Sequence, residues 1–144
     1  MRISDVLRTK GSEVVTIAGS ASVAELVALL REKGIGAVVV VDDPTTGAIS
    51  GIVSERDVVR RLATDAESLL STPVSAVMTT TVHTCEGDEE LHDVAVRMTE
   101  RRIRHLPVVD GDRLTSIVSI GDVVKSRLQE LQAERDHLEG YISS

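Results

Sequence analysis

The chain has 144 residues, a formal net charge of −7 and 42% hydrophobic residues, with one tyrosine and no phenylalanine or tryptophan. That composition suits one compact domain or two small intertwined ones built on an aliphatic core. The acidic balance argues against a non-specific nucleic-acid binder, and no apolar stretch is long enough to span a bilayer. A single cysteine, Cys85, cannot form an internal disulfide. No apolar run follows the charge of Met1-Arg2-Ile3-Ser4-Asp5, so no secretory signal is expected and the cytoplasm is the expected compartment.

Taken in order, the chain reads twice through the same elements. A short strand is predicted over Val14–Ile17, then a helix opened by Ser22 and Glu25 as a capping box, with Gly34 just past its end. Strands follow over Ala37–Val41 and Ile49–Val53, and a second helix starts at Ser54. Polar residues around Ala66–Pro73 suggest a link. The second passage gives a strand over Val82–Cys85, a helix from Glu90 to Arg101, strands over Leu106–Val109 and Leu114–Val118 around the hairpin signal Asp110-Gly111, and a helix from Ser119. The copies superpose at an offset of 68 residues up to Val108-Val109-Asp110 and of 65 from Ile117 onward. The difference falls in one loop, Asp43–Ala48 against Gly111–Arg113, as a structural repeat requires. The expected fold is α+β: two β-α-β-β-α repeats (1–70 and 71–128) packed with pseudo-two-fold symmetry, and a long C-terminal helix continuing over 129–144. Each repeat alone would leave a sheet face uncovered, so a shared core is expected, with clefts where the sheets meet.

Ile103-Arg104-His105-Leu106-Pro107-Val108-Val109-Asp110, Gly51-Ile52-Val53-Ser54-Glu55-Arg56-Asp57 and Ser119-Ile120-Gly121-Asp122-Val123-Val124 together resemble the CBS domain. The tandem pair resembles a Bateman module, in the manner of stand-alone bacterial CBS-pair proteins. The resemblance covers about Val6 to Leu128. It implies a regulatory module that binds AMP, ADP, ATP, NAD(H) or S-adenosylmethionine between the repeats, dimerises, and signals to a regulated protein.

The residues themselves allow that reading. Ser-x-x-Asp at a helix start caps the helix, and it also sets a carboxylate beside free N–H groups and the positive dipole end, which suit a phosphate. A carboxylate there can accept both ribose hydroxyls. The resemblance assigns the ribose to Asp57 and Asp122, with Ser54 and Ser119 near the phosphate. It also assigns the adenine edge to the strand entries Gly36-Ala37-Val38 and Arg104-His105-Leu106-Pro107, with Val14 and Val82 as aliphatic walls. Ordinary core is the competing reading for the valines. Arg104 and His105 make the second copy's site the more cationic, whereas the first offers Arg56, with Arg60 and Arg61 beyond it. Ser116 stands where the first copy has Gly51, a departure expected to crowd or rewire that strand.

Other constellations are weaker. Arg97, Arg101, Arg102 and Arg104 cluster, either as a solvated helix end or as a contact for phosphate or an acidic partner. His83, Cys85 and His92 fall short of the four ligands of a structural zinc site, and no nucleophile, base or phosphate-loop motif is present, so no metal, catalytic cofactor or catalysis is expected. After Asp122, the positions Val124, Leu128, Leu131, Arg135, Leu138 and Ile142 step by 4, 3, 4, 3 and 4 residues, an a/d seam broken once by Arg135. Such a helix folds back on its own domain or meets a dimer mate or partner. The leading expectation is a homodimeric nucleotide sensor. The other reading is a dimeric interaction scaffold without a ligand, in which Asp57 and Asp122 only cap helices.

Overall fold

Local signals fix most of the secondary structure. The computed structural model describes residues 1–11 and 13–143. In chain order these form α1 (Ile3–Lys10), β1 (Thr16–Ile17), α2 (Val23–Lys33), β2 (Ala37–Val40), β3 (Gly51–Ser54), α3 (Glu55–Asp65), two 3-10 turns (Leu69–Ser71 and Val74–Ala76), β4 (Cys85–Glu86), α4 (Leu91–Arg101), β5 (His105–Asp110), β6 (Arg113–Ser119) and α5 (Ile120–Ser143). Ser22 Oγ accepts from Glu25 N at 3.1 Å and Glu25 Oε2 from Ser22 N at 2.9 Å, the reciprocal capping box that opens α2. Gly34 closes α2 in the left-handed region (φ 62°), where a side chain would strain the backbone. The matching closure of α4 uses Arg102 at φ 55°, at a cost of about 1–2 kcal/mol relative to glycine's freedom.

The repeat is visible in the sheets. One sheet has the order β1-β2-β3 and the other β4-β5-β6. β1 runs parallel to β2, pairing Thr16 with Val39 and Ile17 with Val40, and β2 runs antiparallel to β3. β4 runs parallel to β5 with Cys85 opposite Val108. The first strands are therefore shorter than the sequence suggests: Val14 and Val82 lie upstream of the ladders rather than in them. Parallel edge pairing is the less stable kind per residue, and it takes hold only where Ile17 and Cys85 enter the core.

The chain divides into two compact units, Val14–His83 with Gly111–Leu114, and Met1–Glu13 with Thr84–Asp110 and Thr115–Ser144. The first copy's core gathers Ile17, Val23, Leu26, Leu30, Val38, Val40 and Val53. The second copy's core gathers Cys85, Leu91, Val94, Met98, Leu106, Val108, Val118 and Val123. Leu26 and Leu91 are fully buried, and truncating such a leucine to alanine costs about 2–5 kcal/mol.

Each core is completed by a segment that precedes the other copy in sequence. Ile3 and Val6 of α1 are buried in the second copy's core, where Leu91 N donates to Met1 O at 2.9 Å. Val74 and Val77 are buried in the first copy's core, where Val23 N donates to Thr72 O at 2.9 Å. The segment over Ala66–Pro73 is thus more than a polar link: it carries Leu69 into the core of the first copy.

Candidate functional site

The capping boxes build the two predicted sites. In the first copy Asp57 Oδ2 accepts from Ser54 N at 2.8 Å and from Ser54 Oγ at 3.1 Å, and Ser54 Oγ accepts from Asp57 N at 3.4 Å. In the second, Asp122 Oδ2 accepts from Ser119 N at 3.0 Å and Ser119 Oγ accepts from Asp122 N at 3.1 Å. Both carboxylates are half-buried and fixed at the first turn of a helix. The oxygen that the cap does not use is Oδ1 in each case.

The strand entries lie at the same place. Glu55 N donates to Gly36 O at 2.9 Å, and Ile120 N donates to Arg104 O at 2.7 Å. Ala37 pairs with Ser54 across the β2–β3 ladder. Each Ser-x-x-Asp is therefore bonded to its own strand entry, with the N–H of Arg56 or Gly121 left over in the helix's first turn. The short first strands matter here. Because β1 pairs only with Val39 and Val40, the backbone of Ala37 and Val38 on that side lies outside the ladder among the described residues. His105, Leu106 and Pro107 are placed likewise, since β4 pairs only with Val108 and Val109. Such backbone carries N–H and C=O groups that the parallel ladders do not use, beside a carboxylate fixed by its cap.

Not every predicted side chain is available. Val38 and Leu106 belong to the two cores, so the core reading holds for their side chains and only their backbone can serve a ligand. Val14 and Val82 are half-buried, and both fall in the unit of the first copy. Arg56 and Arg104 are exposed, and His105 is half-buried. Of the arginine cluster, Arg97 lies 3.1 Å from Glu89, an ion-pair contact rather than an aligned hydrogen bond. Cys85 is buried, and burial pushes its thiol up to about 12, far from the reactive range.

Lys10, which the sequence reading passed over, separates the two sites. Its Nζ lies 2.7 Å from Asp122 Oδ2 and donates to Ile117 O at 2.6 Å. Burial alone would raise the Asp122 carboxyl, but Lys10 and Ser119 outweigh it and hold it below its ordinary value. In the first copy the corresponding strand edge is met by backbone instead: Ile52 N donates to Thr79 O at 2.9 Å and Thr79 N to Ile52 O at 2.8 Å. That close approach explains Gly51. A Cβ there would stand 2.7 Å from Met78 Sδ and 2.8 Å from Thr79 O. The second copy, with a lysine head in place of a backbone strand, tolerates the buried Ser116. Lys10 lies ahead of the stretch over which the two copies superpose, so their alignment could not reveal it. The only signal was the spacing of Ile3, Val6 and Leu7, which marks the helix that carries it.

Among the described residues no helix is long and apolar enough to cross a membrane. The CBS domain family model matches residues 3–64 and 74–128. The chain is 32% identical to the mitochondrial CBS domain-containing protein CBSX3 of Arabidopsis thaliana, over 97% of this chain and 71% of that protein. Its fold matches the crystal structure of the CBS-domain containing protein ATU1752 of Agrobacterium tumefaciens with a TM-score of 0.82 and 39% identity, over 88% of this chain and 99% of that one. It also matches the CBS domain pair of protein MJ0100, solved in complex with 5-methylthioadenosine and S-adenosyl-L-methionine, with a TM-score of 0.76 and 27% identity over 92% and 98% of the two chains. On that likeness the chain is a tandem pair of the CBS domain family, whose pairs are generally regulatory modules.

Proposed function

We propose that the chain is a regulatory module of the cytoplasm that works as a homodimer, binds an adenosine-containing nucleotide (AMP, ADP, ATP or NAD(H)) and signals its occupancy to a protein partner. The observation that carries this reading is the pre-set carboxylate of Asp57, bonded through Ser54 to the unladdered strand entry Gly36-Ala37-Val38. A ribose supplies two hydroxyl donors for the carboxylate, adenine supplies an edge for the backbone, and a phosphate suits the helix end. The adenosine compounds in the MJ0100 complex support the same ligand class. Asp122 is the lesser acceptor, because Lys10 already neutralises it. Chemistry is not part of the reading, and the one thiol is buried.

A thermal-shift panel of AMP, ADP, ATP, NAD, NADH and S-adenosylmethionine tests it. A ligand at a hundred times its Kd stabilises by about 2.7 kcal/mol, about 5–11 °C for a chain of this size. The expected result is a shift with at least one nucleotide, recovered unchanged after incubation, that Asp57→Ala removes. No shift at saturation with any of them would leave the ligand-free scaffold as the function.

A further inference from the structure

Among the described residues, one apolar face of helix α5 is left exposed. Its buried residues are Val123 and Ser126, flanked on the same face by the half-buried Arg127 and Glu130. A different face carries Val124, Leu128, Leu131, Leu138 and Ile142, which are 49%, 62%, 43%, 60% and 83% exposed. With Arg135 between them, these positions alternate by four and three residues, the narrow seam of a two-stranded coiled coil rather than the wider stripe of a helix lying on a globular core. From Leu131 to Ser143 every residue is exposed, and a free helix of about that length is marginal in water. The seam calls for another of the same length and pattern.

We infer that α5 pairs with α5 of a second copy of the chain, in antiparallel orientation. A parallel pair would set Arg135 on the partner's Arg135 in the core of the seam, and Glu134 beside the partner's Glu139 on both flanks, gathering like charges. The antiparallel register that overlaps the whole seam sets Val124 against the partner's Ile142, Leu128 against the partner's Leu138, and Leu131 against the partner's Arg135. Each Arg135 then lays its aliphatic stem on a leucine, while its head stays near Asp136 at 3.7 Å and Glu139 at 3.6 Å in its own helix. Lys125 meets the partner's Glu139 at both ends of the seam. A single approach of Glu134 to the partner's Glu134 at the centre opposes these gains.

This pairing rests on the homodimer reading and is independent of nucleotide binding. Chains carrying Leu128→Cys and Leu138→Cys test it, since both replace exposed residues and the native Cys85 is buried. On gentle oxidation, the one-to-one mixture should form a disulfide-linked dimer, and neither variant alone should do so to a comparable extent. Efficient cross-linking of each variant alone would overturn the antiparallel orientation. Sedimentation of the untreated chain separates the remaining failures. A dimer with no cross-linking in any combination would remove α5 from the interface while the homodimer stands, and a monomer would overturn both.

Discussion

The two copies carry the same carboxylate in the same cap, and they differ in what touches it. Asp57 is held by Ser54, whereas Asp122 is held by Ser119 and by Lys10 as well. The origin of the difference is the segment that closes the strand edge behind each site. Thr79 does so in the first copy with two backbone bonds to Ile52, which require Gly51; Lys10 does so in the second with an ammonium group, which leaves room for Ser116. A duplicated scaffold can thus keep its capping geometry and still give its two carboxylates unequal surroundings, through residues remote from them in sequence.

Six substitutions break or sharpen that comparison. The largest effect is expected from Asp57→Asn. Losing the charged acceptor of a ribose costs about 1.5–3 kcal/mol, about ten- to a hundredfold in nucleotide affinity by calorimetry. The same change at Asp122 should alter affinity much less while Lys10 is present. Next comes Gly51→Ala, which forces a methyl group against Met78 and the Thr79 carbonyl and should destabilise the fold by about 1–3 kcal/mol in urea melts. Ser116→Ala meets no such strand and should cost less.

Lys10→Met removes the cation that distinguishes the second site. It should lower stability by about 1 kcal/mol near neutral pH, as a partly exposed ion pair does, and strengthen nucleotide binding at Asp122. The pH dependence has a definite sign. The Asp122 carboxyl is depressed in the folded state, so its contribution is present above the ordinary carboxylate pKa and is lost as pH falls through the folded value. Melting curves of wild type and Lys10→Met should therefore converge in acid and separate toward neutrality. The smallest effect is expected from Arg102→Gly. Copying Gly34 at this left-handed position relieves strain at some entropic cost and should stabilise the fold by about 0.5–1 kcal/mol.

The elements that sequence made legible are those whose signals are local. Ser22 with Glu25, Gly34, Ser54 with Asp57, Ser119 with Asp122, and the Asp110-Gly111 turn each fix a boundary through their own chemistry, and the structure places them there. The strand entries of the candidate site were singled out by the resemblance to the CBS domain, not by a local signal of their own. What stayed hidden depends on contacts remote in sequence. The packing of α1 on the second copy and of Val74 and Val77 on the first joins segments far apart in sequence, and Lys10 reaches Asp122 across most of the chain. The late starts of β1 and β4, which put Val14 and Val82 outside the ladders, follow from parallel pairing that no short apolar run declares.

The most direct test of unequal sites is a calorimetric titration with the nucleotide that gives the largest thermal shift, read for stoichiometry as well as affinity. One tight site per chain is expected in wild type, absent in Asp57→Asn, with a second site strengthened in Lys10→Met. Tight binding that survives Asp57→Asn and disappears in Asp122→Asn would contradict the assignment of the working site to the first copy.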